Sequence, residues 1–129
     1  MIDGIEPFYR QIADSIQAAI PEEWNSAKME AIFYSGHSQY LGEYTRKSDG
    51  RSRSFATGRN GEGAFREIRR KFKEAGKPLW GSACFEIESC GKFNLGFCYE
   101  NCDEQGNTYF DEDEEVRRGE ERDRRLTAQ

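Results

Sequence analysis

At 129 residues the chain is long enough to bury one core without metal or disulfide support, and its 33% charged and 13% aromatic residues describe a packed interior beneath a very polar surface. No stretch approaches the length that spans a bilayer, and the opening MIDGIEPFYRQ lacks the positive and apolar regions of a secretory signal. Length and composition therefore predict a soluble cytoplasmic protein of one domain over 1–129, with a core at about 3–100 and an acidic, then Arg-rich, segment at 101–129.

From Ile5 the residues Phe8, Tyr9, Ile12, Ile16, Ala19 and Ile20 recur at helical spacing and form one apolar stripe. Asp3 or Glu6 with Pro7 can open this helix and Pro21 ends it, after which IPEEW reads as a turn that inserts Trp24 against the core. Two strand-like runs follow at 28–34 (KMEAIFY) and 38–46 (SQYLGEYTR), and the intervening SGHS suits a hairpin loop. Alternation puts Tyr40 and Tyr44 on one face and Leu41, Glu43 and Thr45 on the other. His37, the only histidine, falls in the loop; with no nucleophile motif nearby it reads as an exposed turn residue and not as a general base. The Gly-, Ser- and Arg-rich stretch RKSDGRSRSFATGRNGEG predicts a mobile connection with a short third strand around Ser54 to Thr57.

EGAFREIRRKFKEAGKP is the second predicted helix: Phe65, Ile68, Phe72 and Ala75 share a face, Gly76 stops it, and Pro78 lies just beyond. Its outer face carries Arg66, Arg69, Arg70, Lys71 and Lys73. Beside RSRS at 51–54 these cations offer phosphate contacts, so an RNA-binding module built from helix 62–75 and loop 51–59 is an alternative reading. Glu62, Glu67 and Glu74 interrupt the face, however, and cations near a helix C-terminus ordinarily complement its dipole, which favours a solvated surface.

In WGSACFEIESCGKFNLGFCYE, Phe85 and Ile87 alternate on one strand and Phe93, Leu95, Phe97 and Tyr99 on the next. Residues directly opposite in an antiparallel pair share a face, so a two-residue Cys90-Gly91 turn would set Phe93 against Glu88 and Leu95 against Glu86, mixing core with solvent. A three-residue loop Ser89-Cys90-Gly91 instead opposes Glu88 to Lys92, Ile87 to Phe93 and Phe85 to Leu95, with Gly91 supplying the left-handed residue. That register leaves Cys84 and Cys98 as diagonal neighbours about 7–8 Å apart, too far for a disulfide. With no CxxC pair and a remote histidine, Cys84, Cys90, Cys98 and Cys102 read as reduced thiols and not as a zinc site. The element order predicts an α+β fold: an antiparallel sheet of four to five strands, an N-terminal helix and a second helix packed on it, and a charged C-terminal helix.

Charge is unevenly distributed. Residues 1–99 are nearly neutral, whereas Glu100 to Glu115 hold eight acidic residues and no Lys or Arg. Such a patch steers partners of opposite sign. NCDEQGNTYFDE places Asn101, Asp103, Gln105, Gly106 and Glu112 at the ligand and turn positions of a calcium loop, but position one lacks its Asp and a strand precedes it, so 101–112 makes only a weak calcium candidate. Acids packed this densely also lack the distinct environments that acid–base catalysis requires. Beyond them, Asp113 and Glu114 precede Arg117 and Arg118 by four residues, as Glu120 and Glu121 precede Arg124 and Arg125, which supports a solvated helix by about 0.2–0.5 kcal/mol per pair. The acids either cap and solubilise that helix or form a lobe that meets a basic protein.

Three stretches in order, YRQIADSIQAAIPEEW, FREIRRKFKEAGKPLW and FEIESCGKFNLGFCYE, resemble the YezG-like family of bacterial immunity proteins over about residues 5–100. The most specific parts are IPEEW, Trp80 after the second helix, and GKFN-x-x-F-x-YE. The resemblance implies a small cytoplasmic antidote encoded beside a polymorphic toxin, including toxins of contact-dependent growth inhibition, whose toxic ends are often nucleases. It implies no cofactor and no catalytic residue, and it puts Trp24 and Trp80 in the core without locating the toxin-binding surface. The chain departs from the family pattern in its cysteine-bearing turn and its Arg-rich tail.

Resemblance and charge map converge. A nuclease needs a basic groove for phosphates, and an antidote presenting carboxylates in their place can occupy that groove and associate fast. Aromatic and polar anchors then slow dissociation. The expectation is a non-enzymatic inhibitor of a cognate, basic nuclease toxin C-terminal domain, contacting it through Tyr99, Glu100, Asp103, Glu104, Tyr109, Asp111, Glu112, Asp113 and Glu114, with no cofactor, metal, membrane or direct nucleic-acid partner.

Overall fold

The computed structural model describes residues 4–109. The apolar stripe forms α1 (Glu6–Ala19), with Pro7 in its first turn, and the chain becomes extended at Ile20, just before Pro21. Ile12 and Ile16 are fully buried and Ile5 and Ile20 nearly so, which is the burial that the helical spacing predicts.

The first strand, β1 (Trp24–Tyr34), begins at Trp24 instead of Lys28. A register shift between Trp24 and Ser26 breaks the alternation at its start, and a period-two reading cannot see past such a bulge. Trp24 is still buried as expected. Its partner β2 (His37–Arg46) likewise starts early, so the loop shrinks to Ser35-Gly36 and His37 becomes a strand residue that pairs with Tyr34 and stacks on its ring at 4.7 Å. His37 is exposed, Tyr44 is buried and Leu41 is exposed, as the alternation predicts.

The predicted mobile connection is tied into a turn: Gly50 and Arg46 donate backbone N–H bonds to the Arg46 and Arg51 carbonyls, both at 2.8 Å, and Asp49 Oδ1 accepts the Arg51 N–H at 2.9 Å. The turn leads to β3 (Ser52–Ser54), slightly earlier than expected. Next comes α2 (Arg59–Glu74), which starts before Glu62 and leaves Ala75 exposed at its C-cap. Beyond it the Lys77 N–H reaches the Phe72 carbonyl and the Gly76 N–H the Lys73 carbonyl, satisfying two of the helix's terminal acceptors.

The last two strands, β4 (Ser82–Glu88) and β5 (Phe93–Cys98), pair Ile87 with Phe93 and Phe85 with Leu95. The Glu88 N–H donates to the Lys92 carbonyl at 2.8 Å and Gly91 has φ +98°, so the three-residue loop is the one that the apolar alternation predicts, although Phe93 remains 49% exposed. The four cysteines are free thiols.

All pairings in the five-stranded sheet are antiparallel, in the order β3-β2-β1-β4-β5. Ala27, Met29 and Ala31 share a face with Tyr44 and Tyr40 on one side and with Ile87, Phe85 and Ala83 on the other. Both helices cover this face: Tyr9 of α1 meets Phe93 at 5.7 Å between ring centroids, and Phe72 of α2 meets Phe97 at 4.9 Å. Trp80, at 0% exposure, lies against Phe33, Phe72 and Phe97. The result is a two-layer α+β fold; the predicted charged C-terminal helix lies outside the described residues.

Candidate functional site

After β5 the chain folds back as a small lobe against one end of the sheet. The Asp103 N–H donates to the Asn107 carbonyl and the Tyr109 N–H to the Asn101 carbonyl, both at 3.0 Å, while Cys102 and Thr108 form an antiparallel bridge. Thr108 fastens this structure to the body: its N–H donates to the Phe33 carbonyl at 2.7 Å and its hydroxyl to the Gly81 carbonyl at 3.0 Å. Gly106 is buried with φ +73°, and a Cβ there would come within 2.6 Å of Leu79 Cβ and 2.9 Å of the Trp80 carbonyl oxygen. Both the left-handed backbone and the close approach require glycine.

Five of the nine residues singled out from the sequence stand on this lobe. Tyr99 and Tyr109 are 49% and 55% exposed, and Glu100 and Glu104 are also exposed. Asp103 differs. Its Oδ1 accepts the Gln105 N–H at 3.0 Å and the Asn107 N–H at 2.9 Å, so its carboxylate is turned into its own loop. These bonds, the Asn107 N–H first, hold its pKa below the usual aspartate value, with the Arg69 charge adding a smaller pull. Asp111, Glu112, Asp113 and Glu114 lie outside the described residues.

Arg69 holds the lobe from the other side. Its Nη2 donates to the carbonyls of Gln105 at 3.1 Å and Gly106 at 2.5 Å, its Nε to that of Trp80 at 3.4 Å, and its guanidinium lies 4.6 Å from the centre of the Phe33 ring. Burial lowers its pKa, against the opposing pull of Asp103. An arginine starting above about 12 nonetheless stays charged. The sequence reading placed Arg69 on a solvated face; the structure corrects this, because Arg69 sits four residues after Phe65 and three before Phe72, on the flank of the buried stripe. That spacing was the available signal.

A second acidic surface went unnoticed in the sequence. On the sheet face away from the helices, Lys28 pairs with Glu43 on one side and Glu86 on the other, with Glu30 and Glu88 farther along. Lys28, Glu43, Glu86, Glu88, Lys92 and Asn94 border a groove of about 450 Å³ at the end of β1 remote from the lobe. The acids are divided among β1, β2 and β4 amid ordinary alternation, so only strand pairing gathers them on one face.

Among the described residues no three His, Cys, Asp or Glu side chains converge as a metal site, and no helix is long and apolar enough to cross a membrane. The family model described as immunity protein YezG-like matches residues 54–116, the family that the sequence motifs resemble. That span takes in α2, the β4–β5 hairpin and the lobe, whereas α1 and the β1–β2 hairpin fall outside it. No curated protein matches the chain.

Proposed function

Taking this match to an immunity family as the premise, we propose that the chain neutralises a cognate bacterial toxin by direct protein–protein contact, without catalysis, and that the toxin is a basic nuclease met by the acidic segment from Tyr99 to Glu115. The observation that carries the reading is that the family match spans the whole eight-acid run, from Glu100 to Glu115. Glu100 and Glu104 give anionic steering, Tyr99 and Tyr109 are exposed aromatic anchors, and Asp111, Glu112, Asp113 and Glu114 extend the charge. Asp103 shapes the turn that presents them. Contact by protein alone needs no cofactor, and the toxin's nucleic acid is excluded from the same groove by the antidote's carboxylates.

The test is affinity for the toxin domain encoded beside this gene, measured by surface plasmon resonance. Reversal at Glu100, Glu104, Asp111, Asp113 and Glu114 together is expected to slow association and to weaken binding by about 100-fold, or about 2.7 kcal/mol. The acids on the open sheet face support a second reading, in which Glu43→Lys with Glu86→Lys weakens binding and the lobe reversal does not. Full affinity after both sets of changes rules out an acidic interface.

A further inference from the structure

The two edges of the sheet are built differently. At one edge β3 is three residues long, contains Arg53 and follows Arg51, and a short, charged strand guards an edge against pairing with another chain. At the other, β5 runs for six residues as FNLGFC, with no charge, no proline and no shift of register against β4. Alternation sorts its backbone groups. The carbonyls of Lys92 and Cys98 accept N–H bonds from Glu88 and Gly81, on the β4 side, so the even-numbered residues bond inward and Phe93, Leu95 and Phe97 turn their N–H and C=O groups outward. Among the described residues no strand takes up these groups.

The same edge complements itself. Two β5 strands related by a two-fold axis pair antiparallel and join outward residues only to outward residues; axes through Leu95 or Gly96 do this over most of the strand. An axis through Leu95 sets Lys92 against Cys98 and Tyr99 against Gly91. An axis through Gly96 sets Leu95 against Phe97, Phe93 against Tyr99, and Lys92 against Glu100, each twice. Phe93 and Tyr99 are two of the large apolar side chains that stand about half exposed. Lys92 and Glu100 are exposed, and neither enters an ion pair with another described residue. Opposed aromatics and opposed unlike charges both stabilise a strand pair, so the sequence favours the axis at Gly96. Gly96 itself has no need to be glycine within its own chain: its φ is not positive, and a Cβ there would meet nothing within 4 Å. A second backbone approaching to about 4.5 Å between Cα atoms gives the glycine a reason.

We infer that two copies of the chain pair through β5, antiparallel about an axis at Gly96, into one continuous sheet with the helices of both copies on the same face. Tyr99 and Glu100 also belong to the proposed toxin surface, so the pairing describes the chain without its toxin and does not depend on that reading. The test takes the full chain alone through sedimentation velocity and amide exchange. At about 0.1 mM it is expected to sediment as a dimer with the Phe93, Leu95 and Phe97 amides protected. Gly96→Lys, which places two like charges at the axis, is expected to weaken the dimer by about tenfold or more. Lys92→Glu and Glu100→Lys are each expected to weaken it by about tenfold, and the two together to restore it. All three positions are exposed, and an unchanged far-ultraviolet circular dichroism spectrum confirms that each variant is folded. A monomer at about 0.1 mM overturns the inference, and protected β5 amides in that monomer would place another segment of the chain on the edge. A dimer indifferent to Gly96→Lys, or not recovered when Lys92 and Glu100 are both reversed, is joined elsewhere or in another register and overturns it equally.

Discussion

Asp103 shows how a residue's chemical role depends on where its lone pairs go. In the sequence it is one of eight acids in a run; in the fold its Oδ1 accepts two N–H groups of the loop it opens, at 3.0 and 2.9 Å. A carboxylate held this way has a depressed folded pKa, so its contribution to stability is fully present above the unfolded value of about 4 and is lost as pH falls through the lower folded value. The protection of the Gln105 and Asn107 amides, taken as exchange relative to the intrinsic rate at each pH, is therefore expected to fall in that acid window. In Asp103→Ala both amides are expected to be less protected throughout, without the acid step. An identical pH profile in the two proteins would show that the carboxylate does not hold the loop. Glu100 and Glu104, by contrast, are exposed.

At the scale of elements, α2 serves two structures at once. Phe65, Ile68 and Phe72 bury one face against the sheet, while Arg69, on the flank of the same stripe, grips the lobe carbonyls and lies over Phe33. Phe72 meets Trp80 at 6.0 Å and Phe97 at 4.9 Å, and Trp80 in turn offers its carbonyl to Arg69. Phe72→Ala is thus expected to cost about 3–5 kcal/mol in chemical denaturation and to loosen the lobe as well. Tryptophan fluorescence and exchange at Thr108 report the two effects; a stable variant with an unchanged Thr108 amide would separate the lobe from the core. The β4–β5 hairpin teaches the complementary lesson. Its register was legible in the sequence because only the three-residue loop keeps Phe93 and Leu95 away from Glu88 and Glu86. The early starts of β1 and β2 were not, since a bulge at Trp24 and a two-residue turn beside His37 alter chain geometry without altering the apolar alternation that follows.

For the molecule as a whole, net charge −5 conceals a division into a nearly neutral body and an acidic segment. The described part of the acidic segment is held beside α2 by Arg69, and the carboxylates on the open sheet face gather toward the opposite end of β1. Fields of this kind act on encounter more than on lifetime, and screening shortens their reach from about 30 Å at 0.01 M salt to about 3 Å at 1 M. Raising salt across that range is expected to reduce the association rate with the toxin by about tenfold or more while changing dissociation little. A salt-independent association rate would count against electrostatic capture.

Apolar periodicity, turn residues and charge order are local properties, carried between neighbours in the chain, and they were sufficient for the two helices, the antiparallel sheet, the burial of Trp24 and the position of the acidic run, whereas the burial of Trp80 was implied by the family resemblance. Which groups meet across the fold was decided only by packing. Arg69 finds the carbonyls of Gln105 and Gly106, Lys28 comes to lie between Glu43 and Glu86, and Phe72 of α2 meets Phe97 of β5. No periodicity encodes these meetings, because each depends on strand pairing or helix docking that brings together residues with unrelated local patterns.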